Sequence, residues 1–194
     1  MLLFVGLGNP TPDSENNRHN IGFKIIDAIN QKFSLSKQKP KFKGLLTTGD
    51  IGGKKVYAIK PLTFMNNSGI CIRELIEYFK IESENVIVFH DDLDIDFGKI
   101  KAKFGGSSAG HNGIESIDKF IGKDYSRIRI GIGKPKKNSD VTDHVLKDFD
   151  EEEIKYLKKI TNNITNSLSI LLDKKLDLFS STVNNNQWVS NVEL

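Results

Sequence analysis

The stretch FVGLGNPTPDSENNRHNIGF, Phe4 to Phe23, holds an apolar run that meets Gly6 and Gly8, then a polar loop, then His19 ahead of a helical pattern. Two chemistries use such a beginning. A dinucleotide loop needs G-x-G-x-x-G passing directly into a helix, so that backbone N–H groups meet a pyrophosphate at the helix N-terminus. Here Thr11 stands at the third glycine position, Pro10 and Pro12 flank it, and helical spacing starts only near Asn20. The acidic residue that would take a ribose roughly 20 positions later has no candidate, since Asp27 falls inside the helix. A catalytic loop fits better. The glycines let the chain turn off a strand end. Asn9 then stands at the carboxyl edge of a sheet, where α/β proteins bind ligands, and His19 arrives just before the helix.

Working outward, Met1–Val5 reads as a buried strand, and Asn20–Phe33 carries a helical apolar face through Ile21, Ile25, Ile26, Ile29 and Phe33. Ser34–Lys43, basic and containing Pro40, reads as a loop. Leu45–Ile51 and Lys54–Ile59 flank Gly52-Gly53, a hairpin signal, and Pro61 stops the second strand. Asn67–Lys80 returns to helical spacing, and Asn85–His90 is an apolar strand ending in acidic residues. Further strands are expected over Lys99–Phe104 and Arg127–Gly131, with a short helix over Asn112–Ile121 between them. Lys134–Ser139 reads as a basic loop and Val141–Phe149 as a short helical segment. Glu151–Leu172 reads as one long amphipathic helix with three glutamates at its positive end. The Asn-rich stretch Ser180–Leu194 reads as a partly disordered tail. Strands alternate with helices but a hairpin interrupts them, which predicts an α/β layer fold with a mixed sheet.

At 194 residues the chain is expected to form one domain with a sizeable core. Hydrophobic residues make up 38% and charged residues 27%, an ordinary globular balance. The formal charge of +3 is mildly basic and compatible with a nucleic-acid partner. Cys71 is the only cysteine, so no intrachain disulfide and no cysteine metal cluster can form. Its apolar helical setting suggests a buried small side chain. No run approaches the roughly 18 apolar residues of a membrane span, and the N-terminus lacks signal-peptide regions. The expectation is a cytoplasmic protein with no membrane partner.

Three other segments place polar residues at element ends. KPLTFMNNSG sets Phe64 and Met65 beside Asn66 and Asn67. VIVFHDDLDID runs a strand into His90, Asp91, Asp92 and Asp94. GGSSAGHNG surrounds Ser107, Ser108, His111 and Asn112 with glycines. The acidic run lacks a histidine pair beside it and is a weak metal signal. No G-x-S-x-G elbow presents a serine nucleophile. What is left is His19 with an aspartate, surrounded by amides. An aspartate on one ring nitrogen fixes the tautomer and stabilises the imidazolium, while the other nitrogen deprotonates water near neutral pH. Asparagines offer N–H donors to a polarised carbonyl and oxygen acceptors to a peptide N–H. Such a set suits water attack on an ester or amide without metal, cofactor or covalent intermediate.

Taken in order, GLGNP, RHNIGF, KPLTFMNNSG, HDDLD, GGSSAGHNG, RIRIGIGKP and VLKDF resemble bacterial peptidyl-tRNA hydrolases across residues 3–150. The resemblance implies a monomeric α/β domain with a mixed twisted β-sheet sandwiched between α-helices. It implies cleavage of the ester joining a peptide to the 3′ end of tRNA, with peptidyl-tRNA as partner through its acceptor end and 5′ phosphate. The family's catalytic histidine falls on His19, its orienting aspartate on Asp91 and its substrate-positioning asparagine on Asn9. The asparagines that hold peptide and terminal nucleotide fall on Asn66 and Asn112, with Phe64 and Met65 walling the groove. The 5′-phosphate clamp resembles Lys103 and Arg129. His90, His111 and His144 are left structural, His111 as a brace for the glycine loop. The first loop departs from the family: Thr11 replaces a glycine, Ser14 a tRNA-contacting tyrosine and Asn17 a threonine. A non-catalytic RNA-binding protein on the same fold and a nucleotide-dependent oxidoreductase are the rival readings.

Overall fold

The computed structural model describes residues 1–135 and 140–189. In chain order the elements are β1 (Leu2–Gly6), α1 (Ile21–Lys32), β2 (Lys39–Lys41), β3 (Gly44–Ile51), β4 (Lys54–Pro61), α2 (Ser68–Phe79), β5 (Val86–Asp92), β6 (Ile100–Phe104), α3 (Asn112–Ile121), β7 (Ser126–Gly131), α4 (Val141–Leu146), α5 (Glu151–Asn166), α6 (Leu168–Leu172) and α7 (Leu176–Val189). The seven strands form one sheet in the order β2-β3-β4-β1-β5-β7-β6. The central four, β4, β1, β5 and β7, run parallel. The β2-β3-β4 meander and the β6-β7 pair add antiparallel edges. The mixed sheet expected from the hairpin is therefore present, with its parallel part buried between helices.

Side chains alternate across the strands and build two cores. Leu2 and Phe4 of β1 face α1, α5, α6 and α7 together with Ile25, Ile160, Leu171 and Phe179. Leu3 and Val5 face α2 and α3 together with Ile72, Leu75, Ile114 and Ile117. Cys71 lies in the second core, where burial pushes its thiol up to about 12. No helix among the described residues is long and apolar enough to cross a membrane.

Two expectations are corrected. The segment read as a loop over Ser34–Lys43 contains β2, because Pro40 is tolerated on an edge strand that owes no N–H to an outer neighbour. The single helix expected over Glu151–Leu172 breaks at Ser167, whose backbone (φ −95°, ψ 6°) leaves the helical region between α5 and α6. Of the stretch read as a partly disordered tail from Ser180, the residues through Val189 belong to α7, where Val183 is buried beside Phe179 in the first core. Residues 190–194 of that tail, and residues 136–139 of the basic loop, lie outside the described residues.

The opening glycines serve packing. A Cβ on Gly6 would fall onto the carbonyl of Gly22, and a Cβ on Gly22 onto the backbone of Leu7 and Phe89. Helix α1 thus presses directly on the ends of β1 and β5, which carries the turn Arg18–Asn20 to the carboxyl edge of the sheet.

Candidate active site

A cavity of about 630 Å³ opens at that edge. Strand β5 runs two residues beyond its expected end, so Asp91 and Asp92 are held in the sheet opposite Ile130 and Gly131. Asp91 sits at the cavity floor and is almost wholly buried. Its carboxylate accepts from His19 Nδ1, 2.9 Å from each oxygen, and Oδ1 accepts from His111 Nε2 at 3.0 Å.

The second nitrogens of the two rings differ. His111 Nδ1 accepts the N–H groups of Gly113 (3.1 Å) and Ile114 (3.3 Å), capping α3 and placing its proton on Nε2. His19 donates through Nδ1, so its Nε2 lone pair is directed away from Asp91 at the cavity wall. Burial opposes the charge on Asp91, but the two histidines hold its carboxyl well below the usual carboxylate range. Burial likewise opposes protonation of His19, but the Asp91 charge and hydrogen bond prevail and raise its pKa above 6.5. His90 lies beneath, edge-on to His111, and donates from Nδ1 to the Asp91 carbonyl at 2.7 Å. Its burial, reinforced by His111, pushes its pKa well below 6.5 and keeps it neutral.

His19, Asp91 and His111 also present three ligand-type atoms within 4.8 Å of one another. His19 Nδ1 and His111 Nε2 are both spent on the Asp91 carboxylate. A cation bound through those two nitrogens and the carboxylate would have to displace both imidazole protons.

Asn9 is locked by a reciprocal pair: its N–H donates to Asn20 Oδ1 at 2.8 Å, and Asn20 Nδ2 donates to its carbonyl at 2.9 Å. Its Oδ1 accepts the Met65 N–H at 2.9 Å, which leaves the Nδ2 donors for the cavity. Asn66 and Asn112 are exposed on the cavity wall and cap no backbone group among the described residues. Phe64 is 57% exposed beside them, whereas Met65 is buried and supports the wall from the second core. Seven of the nine candidate residues, His19, Asp91, Asn9, Asn66, Asn112, Phe64 and Met65, therefore meet in one cavity.

Lys103 and Arg129 do not line the cavity. Arg129 Nε donates to Asp92 Oδ2 at 2.7 Å, just behind the wall. The Lys103 ammonium lies over Gly106 in the glycine loop, where a Cβ would collide with it. Both project from the α3 side of the sheet, since Lys103 is opposite Arg127 and Arg129 opposite Lys101.

Two arginines escaped the sequence reading. Arg127, fully buried, donates to the carbonyls of Gly106 and Ser107 and to Asp118 Oδ1, and so ties the glycine loop to α3. The alternation RIRI marks its face, but reads as a solvated one. Arg18 donates from Nη2 to both carboxylate oxygens of Glu153 (2.9 and 2.7 Å) and from Nη1 to the carbonyls of Lys147 and Asp148, with its guanidinium over Phe149. It fastens the turn that bears His19 to the end of α4, whose Val141, Val145 and Leu146 form the remaining cavity wall. Only its place beside His19 hinted at this.

Residues 3–191 match the family described as Peptidyl-tRNA hydrolase. The chain is 83% identical over 185 residues to the peptidyl-tRNA hydrolase of Pelagibacter ubique (strain HTCC1062), covering 95% of this chain and 100% of that protein. It is 45% identical over 184 residues to that of Rickettsia prowazekii (strain Madrid E), covering 94% and 100%. The crystal structure of peptidyl-tRNA hydrolase from Acinetobacter baumannii superposes with a TM-score of 0.88 at 32% identity, covering 95% of this chain and 94% of that one. With the family matched over residues 3–191 and the relatives over about 95% of its length, the chain belongs to the peptidyl-tRNA hydrolase family.

Proposed function

We propose that this protein hydrolyses the ester between the carboxyl group of a peptide, or of an N-blocked amino acid, and the 3′ ribose of tRNA, acting as a monomer in the cytoplasm. The observation that carries the reading is the His19–Asp91 pair, with the second imidazole nitrogen directed away from the carboxylate in a cavity walled by amides. His19 Nε2 takes a proton from water as its oxygen attacks the ester carbonyl, and Asp91 stabilises the imidazolium that forms. Asn9 Nδ2, aimed by the Met65 N–H on its Oδ1, donates to the oxygen where negative charge develops. The tetrahedral intermediate collapses with loss of the ribose oxygen, which takes the proton from His19.

Asn66 and Asn112 hold the peptide backbone and the terminal nucleotide, and Phe64 and Met65 give them an apolar wall. A peptide N–H at the α-nitrogen donates to an asparagine oxygen, whereas a charged α-amine would be poorly matched and lose solvation. Blocked substrates are therefore preferred. Lys103 and Arg129 attract the 5′ phosphate, Arg129 with part of its charge offset by Asp92.

The test is release of N-acetyl-aminoacyl groups from tRNA with chelator present, beside unblocked aminoacyl-tRNA. Cleavage of the blocked substrate alone, reduced about a hundredfold or more in His19→Ala while tRNA binding persists, is the expected result. A variant as active as the parent would refute the assignment of the base. No cleavage by the folded parent, with tRNA still bound, would favour a binding protein on this fold.

A further inference from the structure

The ion pair of Arg127 and Asp118 takes no part in the chemistry above, and the Arg127 side chain is only 2% exposed. Burying two charges costs about what their attraction returns, so such a pair adds little net stability over apolar side chains of similar size. What it supplies is geometry. Arg127 Nη2 donates to Asp118 Oδ1 at 2.8 Å and to the Gly106 carbonyl at 2.9 Å, while Nη1 donates to the Ser107 carbonyl at 2.8 Å. The same Asp118 oxygen accepts the Tyr125 hydroxyl at 2.7 Å, and the guanidinium carbon lies 4.9 Å from the centre of the Tyr125 ring. Burial and that hydrogen bond push the Tyr125 pKa up, so the phenol stays a donor. The guanidinium is thereby held in orientation as well as in place, by α3 and by the residue that precedes β7.

It grips the middle of a loop with two working ends. At one end the Lys103 ammonium lies over Gly106. At the other, Ser108 to Asn112 line the cavity, and His111 reaches Asp91 at 3.0 Å. The backbone between is made of turns, with Gly105, Gly106, Ala109 and Gly110 all at φ between 48° and 100°. We propose that Arg127 is a positioning residue that sets the spacing between the 5′-phosphate site at Lys103 and the ester site at His19 and Asn112, an inference that rests on the tRNA-ester reading above. The 5′ phosphate and the 3′ ester are tied to one base-paired stem, so both are seated together only when the two sites stand at a matching separation. A loop displaced by about an ångström leaves one site misaligned whenever the other is filled. Two carbonyls and a carboxylate are reached at once by a planar fork; a lysine ammonium keeps the charge and loses the fork.

The experiment measures kcat/KM on N-acetyl-aminoacyl-tRNA in two forms, with its 5′ phosphate and with the phosphate removed before charging. The parent should cleave the phosphorylated form faster. In Arg127→Lys that advantage should shrink about tenfold, with the dephosphorylated form cleaved closer to the parent rate. An arginine that served the fold alone would lower the Tm and slow both forms by one factor. Gly106→Ala approaches from the exposed side of the loop: its Cβ drives the Lys103 ammonium off its seat with Arg127 intact. It should shrink the advantage as well, and it decides the matter should Arg127→Lys fail to fold. An advantage unchanged in a folded variant, an equal loss on both forms, or a parent indifferent to the phosphate would overturn the proposal. Should the parent cleave neither form, the ester reading fails separately. The ratio of Kd values for the two uncharged tRNAs, required to shrink in the same variants, then decides the spacing on its own.

Discussion

His19 and His111 share one carboxylate, and they differ in what occupies the other ring nitrogen. In His111 that nitrogen is consumed by the first N–H groups of α3, whereas His19 keeps a lone pair for proton transfer. This is why one of two equally close histidines suits the base. Because Asp91 raises the His19 pKa above 6.5, the proposed reaction should slow as pH falls through that raised value, since only the neutral ring accepts a proton. Asp91→Asn removes the charge while keeping the shape. Burial then dominates, so the acid limb of the kcat profile moves to lower pH while the plateau drops about a hundredfold or more. A pH–rate series on the blocked substrate checks both effects, and an unmoved acid limb would count against the pair. The Ser14 hydroxyl is buried 2.7 Å from Thr11 Oγ1.

At the scale of elements, α7 explains what an asparagine-rich segment can do. Strand β6 is a sheet edge, and an exposed edge leaves backbone groups unpaired. Asn184 accepts the Ile100 N–H at 3.0 Å and donates to the Ile100 carbonyl at 2.8 Å, while Ser180 accepts the Ala102 N–H at 2.7 Å. The polar composition that suggests disorder is thus matched to a strand edge. Asn184→Ala strands two part-buried backbone groups and should cost about 2 kcal/mol, read as a lowered urea midpoint with an unchanged m-value. Arg18 does the corresponding task at the cavity. It locks the turn before His19 to α4 and to the Asp150–Glu153 capping box of α5.

At the scale of the whole molecule, pH should act on stability through separate windows. The folded protein keeps His90 neutral well below 6.5, so below about that pH the unfolded chain binds a proton the folded one refuses, and stability falls. His19 acts with the opposite sign. Its raised pKa contributes stability fully present below 6.5 and lost as pH rises through the raised value. Asp91 contributes above the ordinary carboxylate range and loses that only at far lower pH. Urea midpoints should therefore fall between pH 6.5 and 5, and His90→Asn should flatten the slope. A parent protein with a constant midpoint over that interval would contradict the buried neutral histidine.

The sequence by itself determined the layer fold, because strand and helix periods, the Gly52-Gly53 hairpin and the polar residues at strand ends are local signals with local causes. It also singled out Asn9 and His19 at element ends and an aspartate of the run after His90, while the resemblance to a family picked Asp91 out of that run. Tertiary structure decided the rest. Whether Asp91 met His19 depended on β5 running on beside β7, and how closely α1 could approach depended on two glycines distant in sequence. The assignment of His111 to the same carboxylate, the burial of Arg127 and the fastening of Arg18 to Glu153 are contacts between segments. The pattern RIRI is identical whether its arginines face water or a loop, and Pro40 or Asn184 reads as irregular until an edge strand lies beside it. Local periodicity fixes which way a side chain points; only packing fixes what it meets.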